Sequence, residues 1–197
     1  MKLVYLGFHV SDNLFRTINY EPANNSIQTQ NFSGKLLKAL SQNYQTYNFS
    51  CPSMVEFPKS KILFTKFERF DNDCEKNLVF PVINIFILKQ IGQFICALFL
   101  VVRHPSAHYI CHGLNLPHML VLVLAKFLFG ASICILVTDP PVSQSKFDGF
   151  IKRYFRVSYI YTVGILVNKF DYMIALSPAL RDVFGFKGKF LFIEGVS

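Results

Sequence analysis

The sequence predicts an α/β domain: a doubly wound, mostly parallel sheet with helices on both faces. Three observations carry this. Short strand-length runs alternate with longer runs of helical spacing over most of the chain. The strand-like runs are apolar at nearly every position, as strands covered on both faces are. Several of them stop abruptly at glycine, proline or a polar residue, which places those residues at the sheet's carboxyl edge.

Residues 2–8 form a first, interior strand. The Asn-, Gln- and Ser-rich stretch 11–33 reads as a loop leading into a helix over 33–40, whose leucines have helical spacing. Residues 44–49 are extended and end at Cys51-Pro52-Ser53, and the stretch to Pro58 is a connection over the sheet edge. Residues 61–70 alternate apolar and polar, suiting an edge strand or a short ribbon, and 71–77 read as a polar break. A long helix over 82–102 gives way to a strand over 107–113. The helix over 116–129 stops at Gly130, a left-handed cap, before a strand over 131–137. Prolines 140 and 141 then force the chain out of the sheet. A basic aromatic helix over 150–169, a strand over 171–176, a short helix opened by Ser177-Pro178 and a strand over 189–193 complete the pattern.

Composition bounds the class. A chain of 197 residues with 52% hydrophobic side chains is enough for one well-buried domain. Twenty-two phenylalanines and only 16% charged residues bring a membrane reading alongside the globular one. The segment 82–102 is long enough to span a bilayer but carries Lys89, Gln90 and Gln93 near its middle, and 119–137 contains Lys126, Gly130 and Ser132. The predicted strands need these segments as cover, so they are read as buried helices. The helix over 150–169 interleaves Lys152, Arg153 and Arg156 with aromatics; it suits either peripheral contact with anionic lipid or an ordinary surface helix.

The net charge of +8 fits an anionic partner without choosing among phospholipid, nucleic acid and nucleotide phosphate. The five cysteines are odd in number and mostly set in apolar runs, as reduced core thiols are, which points to a reducing, cytoplasmic compartment. Their spacing matches no zinc or Cys-x-x-Cys pattern, so no metal is predicted. Gly7 stands alone after the first strand, so the dinucleotide turn is missing, as are a phosphate-binding Gly-rich loop and a Gly-x-Ser-x-Gly elbow. No RNP-type motif accompanies the basic residues, and nucleic acid is not an expected partner.

What remains is a set of polar residues at strand ends: His9 and Asp12, His112, Asp139, Ser177 and Glu194. In a parallel sheet these ends converge on one crevice, which can bind a polyhydroxylated ligand through side-chain hydrogen bonds. Each also has a plain structural reading. Asp139 can turn the chain before Pro140, His112 can be a satisfied half-buried histidine, and Ser177 can cap the helix that Pro178 opens.

Four stretches, in order, resemble the N-terminal domain of family-4-type GT-B glycosyltransferases, and together they cover nearly the whole chain. They are residues 2–7 with the loop and helix over 28–40; Tyr109-Ile110-Cys111-His112-Gly113; Ile135-Leu136-Val137-Thr138-Asp139-Pro140-Pro141; and Phe170-Asp171-Tyr172-Met173-Ile174-Ala175-Leu176-Ser177 leading to Phe192-Ile193-Glu194-Gly195. The resemblance implies a Rossmann-like half over 1–193 that binds a glycan or lipid-linked sugar acceptor in polysaccharide assembly; the basic helix over 150–169 would allow it to sit in the cytoplasm, peripheral to the inner face of the membrane. It implies that the loop after Gly7, the segment containing Asn25, Gln28 and Gln30, His112 and Asp139 face that acceptor. Glu194 and Gly195 would begin a linker, over 194–197, to a donor domain that holds the nucleotide sugar and the donor-contacting carboxylates. No catalytic residue, metal or cofactor is implied for this half, and by itself it is expected to transfer no sugar. The other reading of the same sequence is a non-catalytic membrane-associated or integral membrane protein.

Overall fold

A computed structural model describes residues 2–19, 27–72, 75–139 and 150–193. The elements in chain order are β1 (Lys2–Gly7), α1 (Asp12–Asn19), α2 (Ile27–Ser41), β2 (Gln45–Ser50), β3 (Phe64–Thr65), β4 (Glu68–Asn72), β5 (Glu75–Val79) and β6 (Val82–Ile83). They continue with α3 (Phe86–Arg103), β7 (His108–His112), α4 (Leu116–Phe129), β8 (Ile133–Val137), α5 (Phe150–Val167), β9 (Tyr172–Ala175), α6 (Ala179–Phe184) and β10 (Lys189–Phe192).

Eight strands form one sheet in the order β10-β9-β8-β7-β1-β2-β5-β4, parallel throughout except for the β4–β5 hairpin at one edge. β3 and β6 form a separate antiparallel ribbon. From β1 the chain winds outward one way to β2, and later the other way from β7 to β10, so the switch point lies between β1 and β7.

The period-2 alternation of β1 shows why it is interior. Leu3 and Tyr5 point to one face, where Ile110, Leu136 and Leu37 of α2 join them. Val4 and Leu6 point to the other, into the larger cluster built with α3, α4, α5 and α6, including Leu100, Met119, Leu122, Val163 and Leu180. The αL conformation of Gly130, φ 65°, ends α4 as its sequence position predicts.

Three local expectations change. The polar stretch after the first strand contains α1 and the first turns of α2. Ile18 packs with Met54 and Val82 in a small satellite cluster, and the Ser11 hydroxyl accepts from Leu14 N at 3.2 Å, closing the first turn of α1. The polar break at 71–77 instead holds the end of β4 and the start of β5, which pair antiparallel, and β5 pairs in parallel with β2. Part of its polarity is used inside the sheet: buried Asn48 donates to Oδ1 of buried Asn77 at 2.8 Å and accepts from Ser50 Oγ at 2.8 Å, while Asn77 Nδ2 has no partner among the described residues. The long helix begins at Phe86, because Val82–Ile83 is taken up by the ribbon.

α3 is the one described helix long and apolar enough to cross a membrane, by length and composition only. Here it is the crossover between β6 and β7, and its central polar residues, Lys89 and Gln93, are buried against the domain.

Candidate functional site

A crevice of about 590 Å³ opens beyond the carboxyl ends of the strands at the β1/β7 switch point. Phe8, following β1, forms one wall with Thr29 of α2. His112 and Gly113 at the end of β7 form the floor, and Thr138 and Asp139, after β8, stand at the mouth. Ser53, Gln90, Asn115 and Tyr159 add polar groups around the rim. The first residues of α4 border the same space, capped by Asn115, whose Oδ1 accepts from His118 N at 3.2 Å while its Nδ2 donates to Gln93 Oε1 at 3.1 Å.

His112 is 1% exposed, and its Nδ1 lies 2.5 Å from the Tyr5 hydroxyl and 3.2 Å from Ser33 Oγ. Burial lowers its pKa to about 4, against a smaller opposing pull from Asp139, so the ring is neutral near pH 7. Burial also raises the Tyr5 pKa well above the usual phenol range, so that group keeps its proton. The Tyr5 hydroxyl also lies 3.2 Å from Ser33 Oγ; when the phenol donates to the nearer Nδ1, the imidazole carries its proton on Nε2. The rings of Phe8 and Phe32, each with its centroid 5.6 Å from that of the imidazole, hold it in place.

Gly7 explains how Tyr5 reaches this position. A Cβ there would sit 2.2 Å from Tyr5 Cε1, so the phenol lies across the glycine on the same face of β1. Gly113 has φ 77°, a conformation that side chains resist, and a Cβ would press to 3.2 Å from Phe8.

Of the residues expected at the site, His112 and Asp139 line the crevice; Asp139 is exposed there and accepts from Thr138 Oγ1 at 2.9 Å. His9 packs elsewhere, with its ring 6.0 Å from that of Phe70 and against Gly34. Asp12 and Gln28 are exposed at the starts of α1 and α2. Gln30 is buried and clamps the loop after β1, its Oε1 accepting from Val10 N at 3.1 Å and its Nε2 donating to Val10 O at 2.7 Å. Ser177 is half-buried after β9; its carbonyl accepts from Leu180 N, and α6 has no side-chain cap. Asn25, Glu194 and Gly195 lie outside the described residues.

The polar site residues not anticipated are Tyr5, Ser33, Thr29, Ser53, Gln90, Asn115, Thr138 and Tyr159. For Asn115 a sequence signal exists: an Asn one residue before the Leu116-Pro117 helix start is a capping pattern. Tyr5 and Ser33 carry no such signal, since each reads as an ordinary position of an apolar strand or a helix.

No family model matches this chain, and no curated protein matches it. Solved structures do. An alpha,alpha-trehalose-phosphate synthase (UDP-forming) from Burkholderia vietnamiensis superposes with a TM-score of 0.54 at 10% identity, over 94% of this chain and 42% of that one. An alpha,alpha-trehalose 6-phosphate synthase from Burkholderia multivorans gives 0.51 at 10% identity, over 93% and 41% respectively. The chain therefore has the Rossmann-like α/β fold of about two fifths of these GT-B enzymes.

Proposed function

We propose that this chain is the acceptor-side half of a GT-B-type glycosyltransferase, of the family-4 kind, that builds a polysaccharide on a glycan or lipid-linked acceptor in the cytoplasm. One observation carries the reading: the crevice at the switch point puts a neutral imidazole on its floor and an exposed carboxylate, held by the Thr138 hydroxyl, at its mouth, ringed by hydroxyl and amide groups. That chemistry suits a sugar's alternating hydroxyls better than a phosphate or an apolar ligand. The fold likeness supports it, since nearly the whole chain superposes on part of two sugar transferases.

In this reading Asp139 accepts from an acceptor hydroxyl and the His112 Nε2–H donates to a ring substituent. Gln90, Asn115 and Ser53 fix the orientation, and Tyr159 offers an aromatic face. Holding the hydroxyl in line with the donor's anomeric carbon is the positional share of catalysis. Stabilising the departing diphosphate is the electrostatic share, and it belongs to a second domain, reached through 194–197 or supplied by another polypeptide. Cys51, Cys96, Cys111 and Cys134 are free thiols, which is consistent with a reducing compartment.

The test is ligand-observed NMR with a panel of glycans and lipid-linked sugars. Binding is expected for the wild type and is expected to weaken about tenfold in Asp139→Asn and Gln90→Ala, one lost hydrogen bond to a charged or amide partner each. Incubated with nucleotide sugars, the isolated chain is expected to give no transfer product; robust turnover would sink the assignment of this half to the acceptor.

A second reading, an integral protein with α3 as a span, draws on the apolar composition of that helix. It requires α3 to leave the sheet and Lys89 to lose its hydrogen bond to Met54 O, at 2.7 Å. Release of the protein from membranes by alkaline carbonate is the expected result, and retention would favour the span.

A further inference from the structure

α3 is amphipathic the wrong way round for a surface helix of a protein surrounded by water. Its polar residues Lys89 and Gln93, one turn apart, are 8% and 5% exposed and face the domain. Its outer side carries Ile87, Ile95, Phe99 and Val102, each between 59% and 65% exposed. α4 packs alongside and extends the same surface with Phe127, 85% exposed, and Leu128, 62% exposed. Neither helix contains an Asp or Glu. An apolar surface of this extent marks an interaction site.

Charge says what occupies it. The carboxyl ends of α3 and α4 meet the amino ends of the strands, and a basic rim collects there. Arg103 lies 5.9 Å from the Phe99 ring centroid, and Lys126, Lys187 and Lys189 line a cleft of about 810 Å³ next to Gly130. The acid in that cleft, Asp171, is already held by Lys126 at 2.6 Å. A second copy of a chain with net charge +8 would bring like-charged rims together, whereas anionic headgroups complement a cationic rim around an apolar face.

We propose that the outer face of α3 and α4 docks on an anionic lipid bilayer, with Phe99, Phe127 and Leu128 among the acyl chains and the Arg103–Lys187–Lys189 rim among the headgroups. The surface is separate from the crevice and does not depend on the sugar reading. The strands' carboxyl ends, and the crevice with them, then open sideways along the membrane.

Flotation of the 197-residue chain with phosphatidylcholine vesicles, with and without phosphatidylglycerol, tests this. Binding is expected with phosphatidylglycerol, weakening as salt is raised. Phe99→Ser/Phe127→Ser is expected to reduce it about tenfold or more, and Lys187→Glu/Lys189→Glu to abolish its dependence on phosphatidylglycerol. Leu191→Ser, at a position 56% exposed on β10, is the control and is expected to bind as the wild type does. All substituted positions are exposed, and circular dichroism confirms folding of each variant. Failure of the folded wild type to float, or unchanged binding in Phe99→Ser/Phe127→Ser, would overturn the proposal. So would a dimer in light scattering that the same double variant dissociates, because the face would then belong to a second copy.

Discussion

His118, the third residue of α4, is fully buried, and neither of its ring nitrogens has a hydrogen-bond partner among the described residues. Burial pulls its pKa to about 4, and His112 is pulled to about the same value. Both folded values lie below the ordinary 6.5, so the folded state favours the neutral rings. The stability they confer is present above about pH 6.5 and is lost as pH falls towards 4, by on the order of 3 kcal/mol for each histidine. Urea unfolding at neutral pH and at pH near 4.5 should show this loss. His118→Leu, similar in volume and without stranded polar atoms, is expected to add about 1 kcal/mol at neutral pH and to remove roughly half of the acid sensitivity. An unchanged pH profile in that variant would mean that His118 is partnered or charged in the fold. At the same scale, His112 was legible in the sequence because it ends an apolar strand just before a glycine. Its partners were not: Tyr5 and Ser33 are 107 and 79 residues away in sequence and meet it only because β1, β7 and α2 converge. Gln30 was expected to face the acceptor; it does not line the crevice, and its bidentate hold on Val10 is a tertiary fact with no local signature.

The elements read most clearly were those whose apolar pattern agrees with their environment. β7, α4 and β8 follow strand and helix periods, end at glycine or a polar residue, and stand within a residue or two of their expected bounds. Region 61–83 was opaque because its strands run only two to five residues and because β5 buries Asn77, so polarity there signals an internal hydrogen bond instead of a break. α3 was legible as a helix, but not in its orientation. The stripe made by Lys89 and Gln93 would ordinarily face water. Instead Lys89 Nζ donates to Met54 O at 2.7 Å with Glu56 at 3.6 Å, and Gln93 accepts from Asn115. Lys89→Ala removes a charged donor from a buried carbonyl and is expected to cost about 2 kcal/mol, a fall in Tm of about 4 to 8 °C. Ile95→Gln, on the outward face, is expected to stay within about 0.5 kcal/mol of the wild type. Thermal melts of the two variants check the orientation directly, and the reverse ranking would mean that α3 presents its other face to the domain.

At the scale of the whole molecule, the chain matches only 42% of the length of a trehalose-phosphate synthase that it superposes on, and its crevice is shallow enough to leave Asp139 exposed. A volume near 590 Å³ is in the range that holds a small ligand, but the crevice is partly open to solvent and would bury a ligand only in part. Acceptor binding by this half is therefore expected to be weak, on the order of millimolar. Weak binding still registers as stability, because a ligand that binds only the folded state at about ten times its Kd adds about 1.4 kcal/mol. For a domain of this size that raises Tm by about 3 to 6 °C. A matched concentration of nucleotide sugar is expected to leave Tm unchanged, since no glycine-rich phosphate turn follows β1 and the floor of the crevice is a neutral histidine held by a phenol. The two ligands thus separate the halves of the reaction in one thermal-shift experiment. If the nucleotide sugar stabilised the chain and no glycan or lipid-linked sugar did, the donor site would lie on this domain. His112 and Asp139 would then have to be read as contacts to the transferred sugar instead of to the hydroxyl that receives it.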